Sequence, residues 1–142
     1  MNRLVISLIA IFAGVTIVFA QTGEKEIPKK MVFKKTTHDF GTLKEEMGTA
    51  SYTFEFTNTG SEELIIQHVK AACKCSTPEW TKTAVKKGGS GIVKVTYNIS
   101  YNANGSPPGS FTKTISVTTN TGEEEVLTIT GVVTPKEKTE KQ

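Results

Sequence analysis

Two cysteines separated by one residue, Cys73-Lys74-Cys75, carry the most distinctive chemistry in this chain of 142 residues. Three states are open to them. Oxidised, they form a local disulfide. Residues two apart on a fully extended strand have Cα atoms roughly 6.5–7 Å apart, the upper limit for a bridge, so the chain would bend at Lys74. So small a ring constrains little of the unfolded chain, and a strained bridge is open to thiol–disulfide exchange. Reduced, the pair could hold copper(I), or zinc with further ligands. His68, five residues before Cys73, is the candidate third ligand, and His38 a fourth if folding brings it near. The spacing follows none of the familiar zinc signatures. Left free, the thiols pack as small hydrophobes. Lys70 and Lys74 would favour thiolate in any reduced form.

Trp80 follows five residues after Cys75 and is the one tryptophan of the chain. It could stack on a sugar ring or cover the cysteines, although a lone Trp of a β-sandwich is more often packed in the core. His38-Asp39 invites a catalytic reading. The plainer account has Asp39 accepting backbone hydrogen bonds in a turn while Phe40 anchors the core. Other catalytic constellations are missing. There is no Gly-x-Ser-x-Gly elbow and no glycine-rich phosphate cradle ahead of a helix, since Gly88-Gly89-Ser90-Gly91 reads as a turn between strands. Glu62 and Glu63 are adjacent, so on a strand they face opposite ways. The single Asp argues against a calcium site, which needs several carboxylates in close array. The expectation is a protein that is not an enzyme and binds no cofactor.

The elements that would position these residues read as strands. Tyr52, Phe54 and Phe56 alternate with Thr53, Glu55 and Thr57, which puts three aromatics, Tyr52 among them, on a buried face. Leu64 to Val69 is a second run. Val93, Val95 and Tyr97 form a third, Phe111, Lys113, Ile115 and Val117 a fourth, and Leu127, Ile129 and Val133 a fifth with Gly131 between. Asn58-Thr59-Gly60-Ser61, Asn102 to Ser110 and Asn120-Thr121-Gly122 break the runs. With Met31–Phe33 and the region of Phe40, this makes about seven short strands. Their spacing of 8–12 residues predicts an all-β, immunoglobulin-like β-sandwich. The abundance of Thr, Val, Ile, Phe and Tyr suits a pleated, half-buried surface. Cysteines two residues apart cannot bridge the two sheets, so packing alone must hold them.

The ends of the chain have a different character. Residues 1–20 read as a signal peptide. Arg3 precedes an apolar run from Leu4 to Phe19, and Val18-Phe19-Ala20 supplies a cleavage site before Gln21. Retention of that run as an anchor is the alternative. Residues 21–34 read as a flexible leader, 35–134 as the domain and 135–142 as a loose tail. Once Arg3 is removed, 16 basic residues stand against 14 acidic ones. Lys29, Lys30, Lys34 and Lys35 cluster before the domain, and Glu123, Glu124 and Glu125 lie in a turn. Mixed signs and a small net charge predict a solvated surface, with no nucleic acid partner. The expected location is periplasmic or secreted, with no membrane span after cleavage.

An ordered set of residues completes the reading. His38-Asp39-Phe40-Gly41 opens the domain, Asn58-Thr59-Gly60 follows the aromatic strand, Cys73-Lys74-Cys75-Ser76-Thr77-Pro78-Glu79-Trp80 lies in the middle, and Gly109-Ser110-Phe111-Thr112-Lys113 with Val117 and Asn120 closes it. This order resembles the bacterial domain of unknown function 1573 family over roughly Lys35 to Val133. Lys74 stands where that family more often has Gly, and Lys87-Gly88 where it often has Pro-Gly. The resemblance implies export and an immunoglobulin-like fold, similar to the major sperm protein and ASPM/SPD-2/Hydin type, and it implies no activity. The expected function is a non-catalytic envelope binding or structural module with a protein or glycan partner. The alternatives are a copper- or zinc-binding or thiol-redox accessory protein using Cys73, Cys75 and His68, and a carbohydrate-binding module using Trp80.

Overall fold

The computed structural model describes residues 30–100 and 109–136. The expected signal peptide, most of the leader, the loop around Gly105 and the end of the tail lie outside the described residues. Eight strands follow in order: β1 (Met31–Phe33), β2 (Thr37–Lys44), β3 (Thr49–Asn58), β4 (Ile66–Ala71), β5 (Ser76–Trp80), β6 (Ser90–Asn98), β7 (Gly109–Thr119) and β8 (Glu124–Thr134). They form two four-stranded sheets, ordered β1-β3-β6-β5 and β2-β8-β7-β4. Neighbours are antiparallel except β2, which runs parallel to β8. A 3-10 turn, Glu45–Met47, links β2 to β3.

Period-two alternation sets the inner faces. Phe54, Phe56, Val93, Val95 and Tyr97 from one sheet meet Ile115, Val117, Leu127 and Ile129 from the other, all essentially inaccessible to solvent. The Tyr97 and Phe111 rings stack at 4.2 Å across that core. Two glycines admit aromatic rings: Phe56 lies over its cross-strand partner Gly91, and Phe111 lies over Gly131, where a Cβ would come within 2.8 Å of the ring.

Four expectations need correction. The described residues form eight strands, because Ser76–Trp80 is a strand despite Pro78. β5 is an edge strand paired only with β6, so a residue without an N–H is tolerated there. The folded body begins before residue 35, since Met31, Val32 and Phe33 pair with Asn58, Thr57 and Phe56. Tyr52 is half-buried, because it sits where β3 has no neighbour on its outer side and its ring faces His38 of β2. The acidic run is not simply a solvated turn. Glu124 and Glu125 begin β8, Glu125 is buried, and the Glu123 carboxylate accepts the Lys30 and Met31 N–H groups at 3.1 and 3.2 Å.

Candidate functional site

The cysteines lie where the chain changes sheets. β4 ends at the edge of one sheet and β5 starts at the edge of the other, so the turn between them crosses the side of the sandwich. Backbone bonds hold both ends: Ala72 N–H to the Thr114 carbonyl at 2.9 Å, and Asn98 N–H to the Cys75 carbonyl at 2.7 Å. Within the turn, Ser76 N–H bonds the Cys73 carbonyl at 3.3 Å. That turn brings the two Cα atoms to 5.2 Å, and the sulfurs are joined as a disulfide. Cys75 is buried and Cys73 half-buried, with its Sγ 3.9 Å from the Ser76 hydroxyl.

Bridged sulfurs offer no thiolate to a metal. His68 is exposed on β4 opposite Thr118, beside a shift in register, and His38 lies on β2. Among the described residues, no three His, Cys, Asp or Glu side chains gather to hold a metal ion.

His38 and Asp39 are occupied with structure. The imidazole stacks on Tyr52 at 3.6 Å and meets Phe40 edge-on at 4.7 Å. Burial, and secondarily Lys35, holds its pKa below the ordinary histidine value, against a smaller opposing pull from Asp39. Asp39 Oδ1 accepts the Gly41 N–H at 2.9 Å. Gly41 takes a left-handed φ of 65° where the register of β2 shifts, a bulge that suits glycine. Phe40 packs against the core from a half-buried position. Trp80 ends β5, partly buried against the core, with the Lys82 ammonium 3.0 Å from its ring centre. One face of the indole is therefore taken by a cation–π contact.

Two features escaped the sequence reading. Asn58 was legible only as a strand breaker, yet it is fully buried and fastens the following turn. Its amide donates to the Glu62 and Val85 carbonyls at 2.7 and 2.8 Å and accepts the Gly60 N–H at 2.9 Å. The Asn-x-Gly spacing was the available signal. The second is a groove of about 260 Å³ along the outer side of β3, lined by Lys34, Lys35, Tyr52, Thr53, Phe54 and Glu55. It exists because β1 ends at Phe33 and the chain crosses to the other sheet, a topological fact that no local pattern encodes.

The comparisons with known proteins agree with this architecture. The model of the family described as "Protein of unknown function (DUF1573)" matches residues 31–133. No curated protein matches the chain. A protein of unknown function from Porphyromonas gingivalis W83 superposes with a TM-score of 0.62 at 22% identity, over 72% of this chain and 46% of that one. This chain thus spans less than half of that protein. The ASH/PapD-like domain 7 of human CEP192 superposes with a TM-score of 0.60 at 12% identity, over 76% of this chain and 87% of that domain. The secreted serine protease VesC from Vibrio cholerae superposes with a TM-score of 0.53 at 12% identity, over 72% of this chain and only 23% of the protease. At these identities the likeness is one of fold.

Proposed function

The chain belongs to the DUF1573 family, and from that premise we propose that it is an exported, non-catalytic binding or structural module of the bacterial envelope. One observation carries this reading: His38, Asp39 and the two cysteines are already engaged in holding the sandwich, whereas a strand edge and its groove are left open. His38 and Asp39 pack and cap, and the cysteines close a turn. Strand edges bind partners through main-chain hydrogen bonds, with neighbouring side-chain pockets adding selectivity. The apolar run before Ala20 supports export, with Gln21 as the first residue of the mature chain. Among the described residues, no helix is long and apolar enough to cross a membrane.

The test has two readouts on one strain. Cell fractionation with the intact mass of the chain reports where the protein resides and where it is cleaved. Cross-linking and recovery then compare the native chain with Cys73→Ser/Cys75→Ser. The module reading expects an envelope or extracellular chain starting at Gln21, with the same cross-linked species in both. Loss of that species in the double variant, together with copper or zinc in the native protein, would move the metal or thiol-redox reading to first place. Recovery of glycan alone, abolished by Trp80→Ala, would do the same for the carbohydrate-binding reading.

A further inference from the structure

We propose that the outer edge of β3, from Thr49 to Thr53, pairs with the same edge of a second copy of this chain. The inference rests on the binding-module reading and names the partner.

The edge is open because of how the chain is threaded. β1 covers only Phe56, Thr57 and Asn58, and a last bond from Lys34 N–H to the Glu55 carbonyl ends that contact. On its other side β3 pairs with β6 without interruption from Thr49 to Thr57. Asn58 N–H donates to the Gly89 carbonyl on that inner side, so the even-numbered residues bond to β6. Alternation then turns the main-chain N–H and C=O of Thr49, Ser51 and Thr53 outward.

Among the described residues, every other edge of the sandwich is protected. β5 carries Pro78, which removes a donor. β2 has a shift in register between Asp39 and Thr42, and β4 one between Ile66 and His68. β1 has only three residues. Prolines, bulges and short edge strands are the usual defences against unwanted strand pairing. Thr49-Ala50-Ser51-Tyr52-Thr53 has none of them: no proline, no charge and no bulge.

The chemistry of that stretch is self-complementary. In an antiparallel pair with its two-fold axis at Ser51, Ser51 faces Ser51, and Thr49 of each copy faces Thr53 of the other. Hydroxyl thus meets hydroxyl on the outer face, the contact Ser51 already makes with Thr96 at 3.0 Å inside the sheet. On the inner face, Tyr52 of one copy lies opposite Ala50 of the other, large against small. At each end, the basic corner of Lys34 and Lys35 meets the acidic 3-10 turn with Glu45, Glu46 and the exposed Met47, beside the groove. Lys34 is paired with Glu55 and the Glu45 carboxylate accepts the Lys136 N–H, so Lys35 and Glu46 are the pair expected to meet across the axis.

Sedimentation velocity of the full chain as isolated from cells, over about a hundred-fold range of concentration, tests this. A monomer–dimer equilibrium is expected. Ser51→Pro removes an N–H that has no partner among the described residues and otherwise gives up only the exposed hydroxyl contact with Thr96, so the fold, followed by circular dichroism, is retained. Each dimer loses two bonds, and dimerisation weakens by about ten-fold or more. Lys35→Glu weakens it without touching the backbone, and Lys35→Glu with Glu46→Lys restores it. A chain that stays monomeric throughout overturns the second-copy inference and leaves the module reading standing. A dimer indifferent to Ser51→Pro and to the charge reversal overturns it by placing the interface elsewhere. A monomer that instead cross-links to a different protein, and loses it with Ser51→Pro, shows that the edge serves a foreign strand and also overturns it.

Discussion

His38 shows how an apparent catalytic residue can be structural. Its ring is sandwiched into an aromatic corner, on the face of Tyr52 and against the edge of Phe40. Protonation would place a charge in that corner beside Lys35. Burial is the larger cause of the lowered pKa, and the Lys35 charge the smaller. A histidine whose folded pKa lies below its unfolded value of about 6.5 binds protons more readily when unfolded. Its contribution is therefore complete above the unfolded pKa and is lost as pH falls through 6.5 toward the folded value. Urea denaturation should give a lower midpoint at pH 5.5 than at pH 7.5, beyond the general trend of the protein. His38→Phe keeps the stacking and removes the titration, so it should flatten that part of the profile. An unchanged pH dependence in the variant would remove His38 as the cause.

Element by element, the strands with clean alternation were legible in the sequence and the one without it was not. Phe54-Phe56, Val93-Val95-Tyr97 and Leu127-Ile129 face the core as their spacing says. β5 was hidden because Pro78 signals a break, and only its edge position makes it a strand. The part played by Asn58 was hidden for another reason: its partners, Glu62 and Val85, are set by the turn and by a bridge between Leu64 and Val85. The sequence shows a polar residue after an aromatic strand and says nothing of its burial. With all its amide bonds internal, Asn58→Ala should leave the Val85 carbonyl without this donor. A loss of about 2–4 kcal/mol is expected from chemical denaturation, since a buried group deprived of its partner retains its desolvation cost. Thr59→Ala, one residue along and exposed, should cost under about 1 kcal/mol and serves as the control.

At the scale of the whole molecule, the question is what joins the two sheets. Two inner faces of aromatic and β-branched residues bury against each other, and the core is continuous from Met31 to Val133. The single disulfide lies at the side of that core, in the crossing between β4 and β5, with Cys75 buried in it and Cys73 packed against it. It closes a loop of only three residues, for which the chain-entropy relation gives about 1–2 kcal/mol at most. The surrounding bonds from Ala72 to Thr114 and from Asn98 to Cys75 are main-chain and survive reduction. Reduced protein should therefore remain folded at room temperature, with an unfolding free energy lower by no more than about 2 kcal/mol and the same denaturant m-value. Because Cys75 is buried, alkylation is the harsher treatment, and reduction under a thiol buffer without alkylation separates loss of the bridge from added bulk. Cooperative unfolding in both redox states would assign the stability of the sandwich to sheet packing. Collapse on reduction alone would make the Cys73–Cys75 turn the clasp between the sheets, and so make the redox state of the surroundings a control on whether the module folds.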